Sequence, residues 1–404
     1  MRKRTCLLAV AATLAASAAH AQFSDDVIRI GVLNDQSGLY ADLSGQGSVW
    51  AAKKAVEDFG AAAKGLKVEV VFADHQNKAD IGSNVARQWY DRDGVDMIVD
   101  VPNSSVALAV NQITREKNKV FLNSGAASSD LTGKACSPNT VHWTYDTWAL
   151  ANGTGKAVVK TGGDTWFFLT ADYAFGHALE RDTEAVVLAN GGKVLGKVRH
   201  PLSTQDFSSF LLQAQGSKSK IIGLANAGGD TINSVKQAAE FGITQSGQNL
   251  AALLVFITDV HSLGLKTAQG LIFTEAWYWD LNEADRTFAR EFAAANKGMH
   301  PTMVQAGVYS AVMHYLKAVA ALNSDADGAA VVAKMKELPT DDKLFGKGQV
   351  RADGRKIHDL YLFEVKTPAE SKAPWDYYKL RATIPAAEAF RPLEQGECPL
   401  VKRS

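Results

Sequence analysis

Residues 97–133 read MIVDVPNSSVALAVNQITREKNKVFLNSGAASSDLTG. An apolar, β-branched run at 97–101 stops at Pro102-Asn103, helical spacing of apolar residues covers 105–116, and a second strand-like run occupies 120–122. Strand, helix and strand in one stretch make a βαβ unit, which implies parallel strands and a right-handed crossover. The second strand runs straight into Asn123-Ser124-Gly125-Ala126-Ala127-Ser128-Ser129, where nothing is larger than Asn. Such residues are ordinary turn formers. They also suit a place where a ligand must come close to backbone N–H groups.

The unit repeats outward. Strands are predicted at 28–33 and 68–72, with helices at 48–59 and 81–91. After residue 146 the pattern restarts, with strands at 165–169, 193–198, 220–224 and 253–256 and helices at 178–189 and 231–241. The fold class is therefore α/β, with two doubly wound parallel-sheet lobes. From Leu281 onward, helices at 284–296 and 304–322 lack strands between them and are expected on the first lobe, whereas a strand at 359–365 returns to the second. Lobe one is thus 22–146 plus 281–346, lobe two 147–280 plus 347–366, and 367–404 a C-terminal tail. A chain that crosses several times makes a multi-strand hinge, and no low-complexity linker argues for independent lobes.

The 404 residues are 46% hydrophobic, enough for two large cores. Met1-Arg2-Lys3-Arg4 is a basic start, residues 6–19 form an apolar stretch short for a membrane span, and Ala19-His20-Ala21 has the form of a cleavage site. Residues 1–21 are read as a secretory signal peptide cleaved after Ala21, which places the protein in the periplasm. Losing its three basic residues leaves a net charge of about −3, which gives no sign of a nucleic-acid partner. Cys6 leaves with the leader. Cys136 and Cys398 remain, and in an exported chain they suggest one disulfide, tying the tail to lobe one, with two free thiols as the alternative.

In an open α/β sheet, ligands bind beyond the carboxyl ends of the strands. Those ends carry Tyr40 and Asp42 after the first strand, Ser104 and Ser105 after the third, and Gly125, Ala126, Ala127 and Ser128 after the fourth. In lobe two they carry Tyr173 and Phe175, then Asn226, Ala227, Gly228 and Asp230, then Asp259; the region before Leu281 adds Trp277. Hydroxyls and N–H groups at helix starts hold an anion, and the aromatics suit an apolar ligand body. Together they describe a small organic acid. The serines also serve as helix caps and the aromatics as packing.

Catalytic and metal signatures are absent: there is no HExxH, CxxC, GxxxxGK[ST] or GxSxG, and no histidines pair at helical spacing. Gly45-Gln46-Gly47 lacks the third glycine of a dinucleotide fingerprint. The reading is a binding protein without cofactor or metal, not an enzyme, and a monomer.

The stretches IRIGVLNDQSGLYADLSGQG (from Ile28), VPNSSVALAV (from Val101), NSGAASSDLT (from Asn123), DYAFGHAL (from Asp172) and DFSSFLLQAQGSKSKIIGLANAGGD (from Asp206) resemble the leucine/isoleucine/valine-binding protein family. The resemblance spans essentially the whole mature chain. It implies the type I periplasmic-binding fold, a role as substrate-binding component of an ABC importer, and a membrane permease as partner. It further implies that Ser104-Ser105 and Gly125–Ser128 hold the ligand carboxylate, that Tyr173 covers the ligand, that Asn226–Gly228 form the next contact, and that Tyr309 matches a late helix-start tyrosine. Amino-acid-binding members place an acid after the last strand of lobe two; here the segment reads Phe256-Ile257-Thr258-Asp259, so Asp259 is the residue expected to pair an ammonium. Residues 207–243 are more similar to the branch that binds aromatic carboxylates such as benzoate and hydroxycinnamate derivatives. The implied ligand is an aromatic carboxylate, with a branched-chain or other amino acid as the alternative. A ligand-sensing domain and an exported hydrolase are the remaining readings.

Overall fold

The computed structural model describes residues 23–401, so the leader and its cleavage site lie outside the described residues. Lobe one opens with β1 (Ile28–Asn34), α1 (Gly45–Phe59), β2 (Val68–Asp74), α2 (Ala79–Asp91), β3 (Met97–Asp100), α3 (Ser104–Glu116), β4 (Val120–Asn123) and β5 (Thr140–His142). These strands form one parallel sheet in the order β2-β1-β3-β4-β5. β3 and β4 are buried on both faces, which is why they read as continuous apolar runs. Ile30, Val32 and Val99 pack with α1 on one side, while Leu33, Ile98 and Phe121 meet α2 and α3 on the other. At Gly31 the α2 helix comes so close that an added Cβ would lie 2.4 Å from the Trp89 ring.

The chain then passes through α4 (Thr147–Leu150), a π turn and α5 (Lys156–Lys160) into lobe two. That lobe contains β6 (Thr165–Ala171), α6 (Ala174–Ala189), β7 (Lys193–His200), α7 (Ser208–Gly216), β8 (Ile221–Ala225), α8 (Gly229–Glu240), β9 (Asn249–Ala252), α9 (Ile257–Leu263) and α10 (Leu265–Ala268). Its parallel sheet runs β7-β6-β8-β9. The strand expected at 253–256 ends earlier: β9 pairs with β8 only through Ala252, opposite Leu224. Residues 253–256 are buried but run irregularly into α9. Their apolar character marks burial beside the cleft and not a ladder.

A mixed region follows: β10 (Ile272–Glu275), α11 (Glu283–Ala295), α12 (Met303–Leu322), α13 (Gly328–Glu337), the small strands β11 (Thr340–Asp342), β12 (Gly346–Val350) and β13 (Lys356–Ile357), then β14 (Leu360–Val365) and β15 (Tyr378–Ile384). α12 packs on α1 in the lobe-one core. β10, β14 and β15 form an antiparallel sheet, so residues 378–384, read from sequence as tail, are a strand. Its outer side is exposed and held by Lys379 and Arg381 against Glu364, which leaves little apolar signature. Cys136 and Cys398 are joined, with Cα atoms 5.6 Å apart across 262 residues of sequence.

Three crossings join the lobes, and two are tied to each other. Buried Arg355 donates from Nη1 to the Tyr145 carbonyl at 3.0 Å, and His358 Nε2 lies 2.8 Å from the Thr144 carbonyl. Among the described residues no helix is long and apolar enough to cross a membrane.

Candidate functional site

The carboxyl ends of the two parallel sheets converge on one small cavity between the lobes. Lobe one contributes Tyr40, Leu43, Pro102, Gly125 and Ala127; the first crossing contributes Tyr145; lobe two contributes Tyr173, Phe175, Ala227, Leu254 and Phe256. No Asp, Glu, Lys or Arg is in that lining.

The floor is built by the end of β3. Asp100 and Val101 both hold positive φ, 86° and 56°, and for a β-branched residue that is costly, about 1–3 kcal/mol. Surrounding bonds fix the conformation. Val101 donates its N–H to the Leu33 carbonyl at 3.0 Å, and the buried Asp100 carboxylate accepts from Ser44 Oγ at 2.8 Å and Asn34 Nδ2 at 3.0 Å. This bend delivers Pro102 to the cavity and Asn103 to the start of α3, where its Oδ1 accepts the N–H groups of Ser105 and Val106.

The small-residue loop after β4 answers it. Asn123 folds back on the loop, donating to the Ala126 carbonyl at 2.7 Å and accepting the Ala126 N–H at 2.9 Å. Gly125 donates its N–H to the Asp100 carbonyl, and Ser128 donates its N–H to Ser104 Oγ at 3.2 Å. Side chains larger than hydrogen do not fit at 125, where a Cβ would stand 2.8 Å from Pro102 Cα. Three of the four N–H groups expected to hold an anion are therefore spent on protein acceptors, at Asp100, Asn123 and Ser104. Among the described residues, the Ala127 N–H and the Ser104 N–H at the first position of α3 have no protein acceptor, and the Ser104 hydroxyl hydrogen is also unspent. These donors form a smaller cradle than the sequence suggests.

Two elements of lobe two close over it. Tyr173 caps α6 and Phe175 lies in its first turn, with ring centroids 5.8 Å apart. The Tyr173 hydroxyl meets that of Tyr40, from lobe one, at 2.5 Å. Two turns along α6, Arg181 donates to Asp130 Oδ1 at 3.1 Å and Ser129 Oγ at 2.9 Å, while Ser129 Oγ donates to buried Asp182 at 2.7 Å. The turn that follows the cradle is thus clasped by the helix that carries Tyr173.

The remaining expected residues are placed elsewhere. Asp259 does not face a ligand: its Oδ2 accepts the Phe256 N–H at 2.9 Å, holding the start of α9, and burial pushes its carboxyl up to about 7. Phe256, three residues earlier, takes the lining position. Tyr309 packs in the lobe-one core and donates to Asp58 at 2.8 Å, Trp277 donates to Asp285 at 2.6 Å, and Asp42 is exposed. The Asn226 side chain is engaged with Thr231, Ser234 and His200. Gly228 (φ 57°) packs against lobe one, where a Cβ would stand 2.8 Å from the Leu39 carbonyl. Ser104 and Ser105, at the start of α3, are not part of the lining, and neither are Ala126, Ser128 and Asp230.

Sequence reasoning passed over Leu43, Pro102, Tyr145, Leu254 and Phe256. Tyr145, whose hydroxyl donates to the Gly125 carbonyl at 2.6 Å, follows a three-residue strand too short to announce a strand end. Leu254 and Phe256 sit in the run misread as a strand.

A model of the periplasmic binding protein family matches residues 27–372. A periplasmic binding protein from Burkholderia mallei is 57% identical with a TM-score of 0.90, over 93% of this chain and all of that one. A branched chain amino acid ABC transporter periplasmic ligand-binding protein from Burkholderia xenovorans is 39% identical, with a TM-score of 0.81, over 92% of this chain and 99% of that one. An R. palustris solute binding protein of an ABC transporter, in complex with 4-hydroxybenzoate, shares the fold at 21% identity and a TM-score of 0.80, over 89% of this chain and 97% of that one.

Proposed function

We propose that this chain, which belongs to the periplasmic binding protein family and is the solute-binding component of an ABC transporter, captures a small aromatic carboxylate. The observation that carries the ligand class is the lining: aromatic and aliphatic walls, the unspent N–H of Ala127, and no acidic side chain, with the unspent Ser104 donors at the neighbouring start of α3. An amino-acid ligand brings an ammonium, and burying it unpaired costs several kcal/mol. The position beside the cleft that would answer it is Phe256, while Asp259 is turned to its own helix. A carboxylate needs only donors, and a ring needs only flat apolar faces such as Tyr173, Phe175 and Phe256. The same fold holds 4-hydroxybenzoate in the R. palustris protein.

Binding then proceeds by closure. The ligand rests first on the lobe-one cradle, α6 and the Gly228 loop close over it, and the Tyr40–Tyr173 contact completes the wall. The ligand-stabilised closed form is what a permease would recognise. The B. xenovorans relative supports a second reading, a branched-chain amino acid.

Thermal unfolding of the mature protein with benzoate, 4-hydroxybenzoate and leucine separates the two. Ligand at a thousand times its Kd adds about 4 kcal/mol of stability. Stabilisation by the aromatic acids and not by leucine is expected; stabilisation by leucine alone overturns the reading.

A further inference from the structure

β15 belongs to lobe two, where Tyr378 packs with Phe273 and Phe363 in the core, but the chain that leaves it does not stay there. Past Ile384 it runs through α14 (Ala386–Ala389) to Cys398, which is bonded to Cys136 of lobe one. On the way it touches both of the crossings that are tied together. The Ala386 N–H donates to Asp359 Oδ1 at 2.7 Å, and Asn152, in the π turn after the first crossing, donates to the Glu388 carbonyl at 3.1 Å. The buried Phe390 ring lies 4.4 Å from the Arg355 guanidinium and edge-on to His358 at 5.3 Å. Arg351 Nη1 donates to the Arg391 carbonyl at 2.9 Å. Arg391 then reaches lobe one, donating from Nη2 to the Ser129 carbonyl at 3.2 Å.

Ser129 is therefore gripped from two sides. The tail holds its carbonyl, and α6 of lobe two holds its hydroxyl through Arg181 and Asp182. Opening the lobes breaks the α6 clasp, whereas the tail is joined covalently to the same lobe-one segment and stays. We propose that residues 385–398 are a strap that favours closure: β15 anchors it in lobe two and the disulfide anchors it in lobe one. Its bonds to Asp359, Asn152 and Arg351 are made with the lobes closed, so hinge rotation strains or breaks them. Its hold on Ser129 keeps the Ser129–Asp130 turn in register for Arg181. A strap acts on the balance of open and closed forms and not on ligand contacts, so it scales the affinity for every ligand by one factor. This rests on closure by hinge motion, and not on the class of ligand.

The test compares the mature protein with its Cys136→Ser/Cys398→Ser variant by small-angle scattering without ligand and by calorimetric titration with benzoate, 4-hydroxybenzoate and leucine. The ligand-free variant is expected to show a larger radius of gyration. Each probe that binds the parent should bind the variant about three- to tenfold more weakly, by the same factor for all. Arg391→Met, with the disulfide intact, should shift both readouts in the same direction by less, and serves if the serine variant does not fold. A folded variant with the parent's scattering profile and affinities, and only a lower Tm, makes the disulfide a staple and overturns the strap. A factor that differs between ligands overturns it as well. The scattering comparison decides even when none of the three probes binds. A parent whose radius of gyration is unchanged by a bound probe overturns the closure reading itself.

Discussion

The hydroxyls of Tyr40 and Tyr173, carried by opposite lobes, meet at 2.5 Å above a cavity that neither lobe could enclose alone. Tyr40 is buried and Tyr173 half-buried, and loss of solvent is the main reason each phenol is harder to ionise than usual. The pair is a bond between the lobes, made only when they are closed.

Tyr40→Phe and Tyr173→Phe each remove that bond and leave the ring. Each is expected to weaken ligand binding roughly five- to tenfold, about 1 kcal/mol, mainly through faster release. Because one interaction is lost in either case, the double variant should be no weaker than about one single variant. Stopped-flow release rates check this, and additive losses would contradict it.

Arg181 bridges the lobes from the surface, reaching Asp130 and Ser129 while Asp182 takes the Ser129 and Thr147 hydroxyls. Arg181→Met should lower affinity about three- to tenfold without altering the order of preference among ligands, and should flatten the dependence of affinity on salt. A changed order of preference would place Arg181 in ligand recognition.

Phe256→Glu puts a carboxylate where the lining has none. Beside a bound carboxylate it is repelled in low dielectric, so aromatic-acid binding should fall by at least about a hundredfold. Titration of the variant measures this; retained affinity would remove Phe256 from the ligand wall.

Asp259 carries a pH signature. Burial lifts its carboxyl from the ordinary ~3.9 to about 7, so between those values the folded protein holds a proton that the unfolded chain releases. Its contribution therefore falls as pH rises through that window. Asp259→Asn can still accept the Phe256 N–H and does not ionise. The variant should gain on the parent between pH 5 and pH 8, by at most about 3 kcal/mol at ~1.4 kcal/mol per pH unit, and level off above about pH 7. The buried histidines, whose pKa values are lowered, act oppositely in both proteins and cancel in the difference. Parallel melting curves against pH would show that Asp259 is ionised.

Much of this was legible because parallel strands buried on both faces spell themselves as apolar runs; β1, β3 and β4 were read within one or two residues. β15 was not, since its charged outer face has no apolar rhythm. The same limit blurred the site. Small residues after β4 signalled a close approach, but which N–H groups stay free depends on Asn123 folding back and on the positive φ of Asp100, neither visible in one dimension. Tyr309 and Trp277 looked like ligand aromatics by position, yet each hydroxyl or indole N–H is committed to an aspartate away from the cavity.

The most direct test of the central claim is a crystal structure of the mature protein grown with benzoate. The carboxylate should lie on the Ala127 N–H and the Ser104 hydroxyl and N–H, with the ring between Tyr173 and Phe256 and the Tyr40–Tyr173 wall shut. A ring seated on Ser104 and Ala127 with the carboxylate elsewhere, or an open cleft without ligand, would contradict it.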